Sequence, residues 1–175
     1  IKLDGNYPVG TDNVALGNAA LDSVEAGGIN NVAIGDDAGT AITTGDNNVA
    51  VGRSALAANT TASNNTVVGF GALCTNTTGA NNTGVGVSAL SSATTGSNNV
   101  AVGYGAANQT TTGTGLVSVG YQANRFNTTG IDNVAIGKET LQGVAGNTHN
   151  RNVAVGSTAG KVITTGSGNN LIGFG

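Results

Sequence analysis

One pattern, Asn-Val-Ala-(Val/Ile)-Gly, recurs with variations ten times along this 175-residue chain, ending at Gly17, Gly35, Gly52, Gly69, Gly86, Gly103, Gly120, Gly137, Gly156 and Gly173. The spacings are 18, then six of 17, then 19 and 17. A fixed period of this length constrains the fold before any local propensity does, because a unit this short cannot bury a core alone and must be held by its neighbours.

Alignment on the glycine shows what each position demands. Four residues before it stands Asn in nine of ten copies, among them Asn31, Asn48, Asn99 and Asn133, with Leu116 the exception. The residue directly before it is always aliphatic, as at Ile34, Val51, Val102 and Ile136, ahead of Gly35, Gly52, Gly103 and Gly137. Two before it the residue is usually small, and three after it comes Ala in most copies, often followed by Leu. A polar connector, commonly Thr-Thr-Gly, closes the unit.

Within Val-Ala-Val the two large side chains share one face and the small one points the other way, which is the period of two of a strand. Five residues make no sheet, but identical coils stacked about 4.8 Å apart pair each strand with its own copy in the next unit. The sequence therefore predicts an all-β fold, a parallel β-solenoid of ten coils of about 17 residues, in one domain over 1–175, with 1–12 as a lead-in or cap. The glycine supplies a bend or a close approach that a Cβ would obstruct. Ala-Leu is expected to form a second short strand, Thr-Thr-Gly a return turn, and the recurring Asn an inward ladder in which each amide satisfies the next. Helical repeats do not tolerate this density of Gly and Thr, and the Asp residues do not recur in the register that calcium-binding nonapeptide repeats require.

Composition narrows function. Six Lys and Arg against nine Asp and Glu leave no basic surface for phosphate, so nucleic-acid binding is not expected. Cys74 is the only cysteine, which removes an intrachain disulfide and a multi-cysteine zinc site. No apolar run approaches the roughly 20 residues of a membrane-spanning helix. The start at Ile1, without Met or a leader pattern, reads as a processed chain or a segment of a longer one. Aromatic residues make up 3% of the chain, too few for an ordinary core, so each coil is expected to bury a further face against neighbouring chains.

The run Asn-Asn-Val-Ala-Ile-Gly-x-x-Ala at 30–38, repeated with variations in every unit, resembles the head repeats of trimeric autotransporter adhesins and related repeats of phage tail fibres. It differs in its 17-residue units and in Ala where that family often carries Ser. The resemblance implies a left-handed parallel β-roll, a homotrimer with the apolar strand residues facing the trimer axis, and an extracellular place on a bacterial surface or a virion fibre.

The most variable position follows the glycine, running Asn18, Asp36, Arg53, Phe70, Val87, Tyr104, Tyr121, Lys138, Ser157, Phe174, and is read as exposed to solvent. Tyr104 and Tyr121 occupy it in successive units, with Arg125 and Phe126 just beyond, a set suited to gripping a sugar or a protein loop; an aromatic ladder that stiffens the stack is the plainer reading. The 19-residue spacing places an expansion around Gly143 to Arg151 that holds the only histidine, His149, read as a solvated loop side chain rather than a metal ligand. Six Asn-x-Ser/Thr sequons begin at Asn59, Asn64, Asn76, Asn81, Asn108 and Asn127. No catalytic, cofactor or metal set is expected. The leading expectation is a non-catalytic segment that attaches to a host glycan or protein on a cell surface. Two alternatives stand beside it: a structural filament that associates end to end, and ice binding, which needs a Thr-x-Thr face where this chain has adjacent threonines.

Overall fold

The computed structural model describes residues 11–175; the expected lead-in over 1–12 lies almost wholly outside the described residues. Ten strands of three residues each follow one another: β1 (Val14–Leu16), β2 (Val32–Ile34), β3 (Val49–Val51), β4 (Thr66–Val68), β5 (Thr83–Val85), β6 (Val100–Val102), β7 (Val117–Val119), β8 (Val134–Ile136), β9 (Val153–Val155) and β10 (Asn170–Ile172). They form one parallel sheet in sequence order. Each pairs in register with its own copy, Val32 to Val49 and Ala33 to Ala50 for example, so the repeat is a parallel β-solenoid of about nine turns.

The alternation assigns the faces. The middle residue of the strand points into the coil and is fully buried at Ala33, Val67, Ala101, Ser118, Ala135 and Ala154, while the flanking Val and Ile stay half-exposed on the outside. The Asn four residues before each glycine lies on the same inward face and is buried from Asn31 to Asn152. Its Oδ1 accepts from the backbone N–H at the same position of the following unit, at 2.7–3.0 Å from Asn13 through Asn152 wherever the column is Asn. Its Nδ2 donates to the carbonyl that closes its own return turn, at 2.7–3.1 Å. The inward ladder thus exists, but its main partners are backbone groups, because a buried peptide group left without a partner costs more than an amide pairing gains. Direct amide-to-amide bonds also join four of the successive Asn pairs, such as Asn48 Nδ2 to Asn31 Oδ1 at 3.1 Å.

The Ala-Leu segment is not a second strand. Two and four residues past the glycine the backbone takes a positive φ, 54° and 55° at Ser54 and Leu56, 55° and 52° at Ser88 and Leu90, and alternating hands curl the chain into a tight arch. The arch still bonds from unit to unit, Ser54 N–H to Asp36 O at 2.8 Å and Leu56 N–H to Ala72 O at 3.1 Å. A left-handed non-glycine residue costs about 1–2 kcal/mol. The burial of Leu21, Leu56, Leu73, Leu90 and Leu141 in the interior offsets it, at roughly 1.5–3 kcal/mol per side chain. The repeated glycine itself has φ between 126° and 141°, and a Cβ on Gly35 or Gly52 would stand 2.7 Å from the next unit's carbonyl. Bend and close approach are therefore both required of it.

The two threonines of the return turn divide the work. The first donates its Oγ1 to the carbonyl of the following unit, at 3.0–3.3 Å from Thr43 through Thr128. The second faces solvent at Thr44, Thr61, Thr78, Thr95, Thr112, Thr129 and Thr165, so the outward threonines form a single file.

Candidate functional site

The position after the repeated glycine leaves the sheet at the bend and carries the longest exposed side chains of the stack. Arg53, Phe70, Val87, Tyr104, Tyr121 and Lys138 are all exposed there, as expected. Register places like positions one rung apart, so these side chains meet along the axis. Asn18 Nδ2 donates to Asp36 Oδ1 at 3.2 Å, Asp36 lies 3.6 Å from the Arg53 guanidinium, and Arg53 stands 5.8 Å from the centre of the Phe70 ring. Farther along, the Tyr104 and Tyr121 rings stack at 5.5 Å with 12° between planes. For the first half of this column, Asn18 to Phe70, the sequence gives the exposed position but not the side-chain contacts, although the shared offset from the glycine places its members in line.

The tyrosine pair is a ladder in form. Each ring turns one face to the other and leaves its edges and hydroxyl outward, with 54% and 46% of the residues exposed. This geometry stiffens the stack, and it offers two phenols with apolar edges, able to give and accept hydrogen bonds against a sugar or peptide. Arg125 and Phe126 form a second, separate pair in the arch of the same unit, the guanidinium 4.7 Å from the ring centre and both half-exposed. No ring stack or cation–π contact joins this pair to Tyr121 among the described residues.

His149 departs from expectation. It is fully buried, standing at the turn position that is Gly or Ala in other units, and its Nε2 lies 3.3 Å from the Leu141 carbonyl. The two extra residues widen the turn enough to bring the ring inside. Burial pushes the His149 imidazole below its ordinary range, against a smaller opposite pull from the Leu141 carbonyl. A buried ring is not placed to meet symmetry-related copies around a metal.

The sequons divide by burial. Asn59, Asn76 and Asn127 are interior residues, whereas Asn64 and Asn81 lie exposed in adjacent turns. Cys74 is half-buried, its thiol pushed up by burial. Among the described residues there is no cluster of three or more His, Cys, Asp or Glu able to hold a metal and no helix long and apolar enough to cross a membrane. No protein-family model, curated protein or solved structure matches the chain significantly.

Proposed function

We propose that the chain is a non-catalytic attachment segment: a stiff, trimeric, extracellular rod of the left-handed β-roll type that binds a cell-surface glycan or protein along its side. The observation that carries the reading is the exposed Tyr104–Tyr121 stack. A side chain on a continuously hydrogen-bonded stack is already ordered before it binds, which reduces the entropic cost of association. Three copies around an axis would repeat the aromatic strip three times, and many weak contacts then add through effective concentration. The resemblance to adhesin head repeats supports the trimer, and so does the outward apolar face of the sheet, where Ile34, Val68, Val102 and Ile136 are each a little over a third exposed.

The test compares the labelled chain with a Tyr104→Ala/Tyr121→Ala double variant on a glycan array and on intact cells. Loss of two aromatic contacts is expected to weaken binding at least tenfold, about 1.4 kcal/mol or more, with the circular dichroism of the two proteins alike. Equal binding by both proteins removes the tyrosines from the site, and no binding by either removes the attachment reading.

A further inference from the structure

Along most of the rod the interior is apolar and continuous. One cluster runs from Ala20 to Ala107, and a second begins only at Ala123 and continues through Leu141, Ala154 and Ala159. The unit at which the second cluster starts, residues 116–132, changes the interior chemistry at three columns. Leu116 replaces the Asn of the inward ladder, so it offers no side-chain acceptor to the backbone N–H of Asn133. Ser118 replaces the small apolar residue of the strand, and Asn124 stands in the column held by Leu56, Leu73, Leu90 and Leu141.

Polar atoms in and beside this unit lack protein partners. Ser118 Oγ, both amide atoms of Asn124, and Asn127 Nδ2 are buried and unpartnered, and so is Nδ1 of His149 in the following unit. The layers adjoin: Asn124 N–H donates to Thr140 O at 2.8 Å, and the His149 ring reaches the carbonyl of Leu141, the residue next along. The His149 carbonyl in turn accepts from Asn133 Nδ2 at 2.7 Å. A neutral imidazole fits this surrounding of neutral dipoles, donating Nε2–H to Leu141 O and keeping Nδ1 as an acceptor. An imidazolium would bring a second donor and a full charge into an interior that supplies no opposite charge.

His149 is the only ionisable side chain among the buried residues described. The charged groups of the neighbouring units all lie on the outer surface. Asp132 pairs there with Arg151 at 4.0 Å and Glu139 with Lys161 at 2.6 Å, while Arg125 packs on Phe126 and Lys138 is exposed. None supplies a counter-charge inside.

We propose that units seven and eight form an acid-sensitive seam in the rod: neutral His149 keeps the stack continuous, and its protonation opens β7 to β10 together while β2 to β6 stay closed. Local opening in a stacked array occurs where the interface between neighbours is weakest, and the apolar interior is interrupted where unit seven meets unit six, between Ala107 and Ala123. The direction in pH follows from the burial of the ring. A group whose folded pKa is depressed contributes stability that is complete above its unfolded value, about 6.5 for His, and lost as pH falls through the folded value. Carboxylates titrate near pH 4, so about pH 5 examines the histidine with the acids still mostly ionised.

Hydrogen exchange read by mass spectrometry, at about pH 7.5 and about pH 5 and corrected for intrinsic rates, tests the seam in the full chain and in His149→Gln. The expected result is that 117–172 loses protection relative to 32–102 on acidification, by up to about tenfold per pH unit within the window, and that H149Q abolishes this difference. An unchanged ratio, a loss spread evenly along the rod, or the same loss in H149Q overturns the seam. Should H149Q fail to fold, the imidazole resonances of the chain's single histidine decide on the unaltered protein. Titration below about 6.5 in step with the selective loss upholds the seam, and titration at or above that value overturns it.

Discussion

Asn82 shows how much a single interior residue holds. Its Nδ2 donates to Gly96 O at 2.9 Å, and its Oδ1 accepts from Asn99 N–H at 3.0 Å. Replacing it with Ala leaves one buried acceptor and one buried donor without partners, each costing about 1–3 kcal/mol. Asn82→Ala is therefore expected to lower unfolding stability by roughly 2–5 kcal/mol, measured by denaturant titration, and a loss below about 1 kcal/mol would show that the ladder is not the main polar support. This column was legible in the sequence, because its position in the repeat and the period of two assign it to the same face as the small strand residue. Its partners were not legible. Which backbone carbonyl comes within reach depends on how the return turn closes, and Thr-Thr-Gly fixes the presence of a turn without fixing its path. The same limit hid His149: an expansion of two residues reads as an exposed loop unless the room inside the coil is known.

At the scale of the element, the strand and the arch differ in how plainly sequence announces them. Val-Ala-Val alternates and is a strand; Ala-Leu looks similar over two residues, but only the backbone reveals the left-handed φ at Leu56 and Leu90, a state that local propensity disfavours and burial of the leucine sustains. The glycine that joins the two can be tested against one that lies elsewhere. Gly86 has φ 129° and stands so close to the next unit that a Cβ would fall 2.7 Å from the Gly103 carbonyl carbon, whereas Gly71, at φ 60°, has open space around it. Gly86→Ala is expected to cost about 3 kcal/mol or more, since backbone strain and a backbone clash combine. Gly71→Ala meets only the left-handed penalty of about 1–2 kcal/mol. Equal melting temperatures for the two variants would contradict the role given to the repeated glycine.

For the whole molecule, the outer face of the sheet is the largest consequence of the repeat. Ten rungs in register turn the aliphatic position before each glycine into one continuous column, beside a second column of Val interrupted by Thr66, Thr83 and Asn170. Some members, such as Val100 and Val102, are exposed by a little over a third, and others are partly covered by their own neighbours. A long apolar surface of this kind marks an interaction site, and in the proposed trimer it faces the axis. The 16.8 kDa chain is then expected to sediment as three copies at micromolar concentration. Val102→Lys places a charge in the middle of the face, where desolvating it in an interface is costly, while in the isolated coil the same side chain points to water and leaves the interior ladders untouched. The variant is accordingly expected to lower the sedimenting mass toward one chain with its β-rich circular dichroism retained. A mass of one chain for the unaltered protein, or an unaltered trimer in V102K, would show that this face is not what joins the copies.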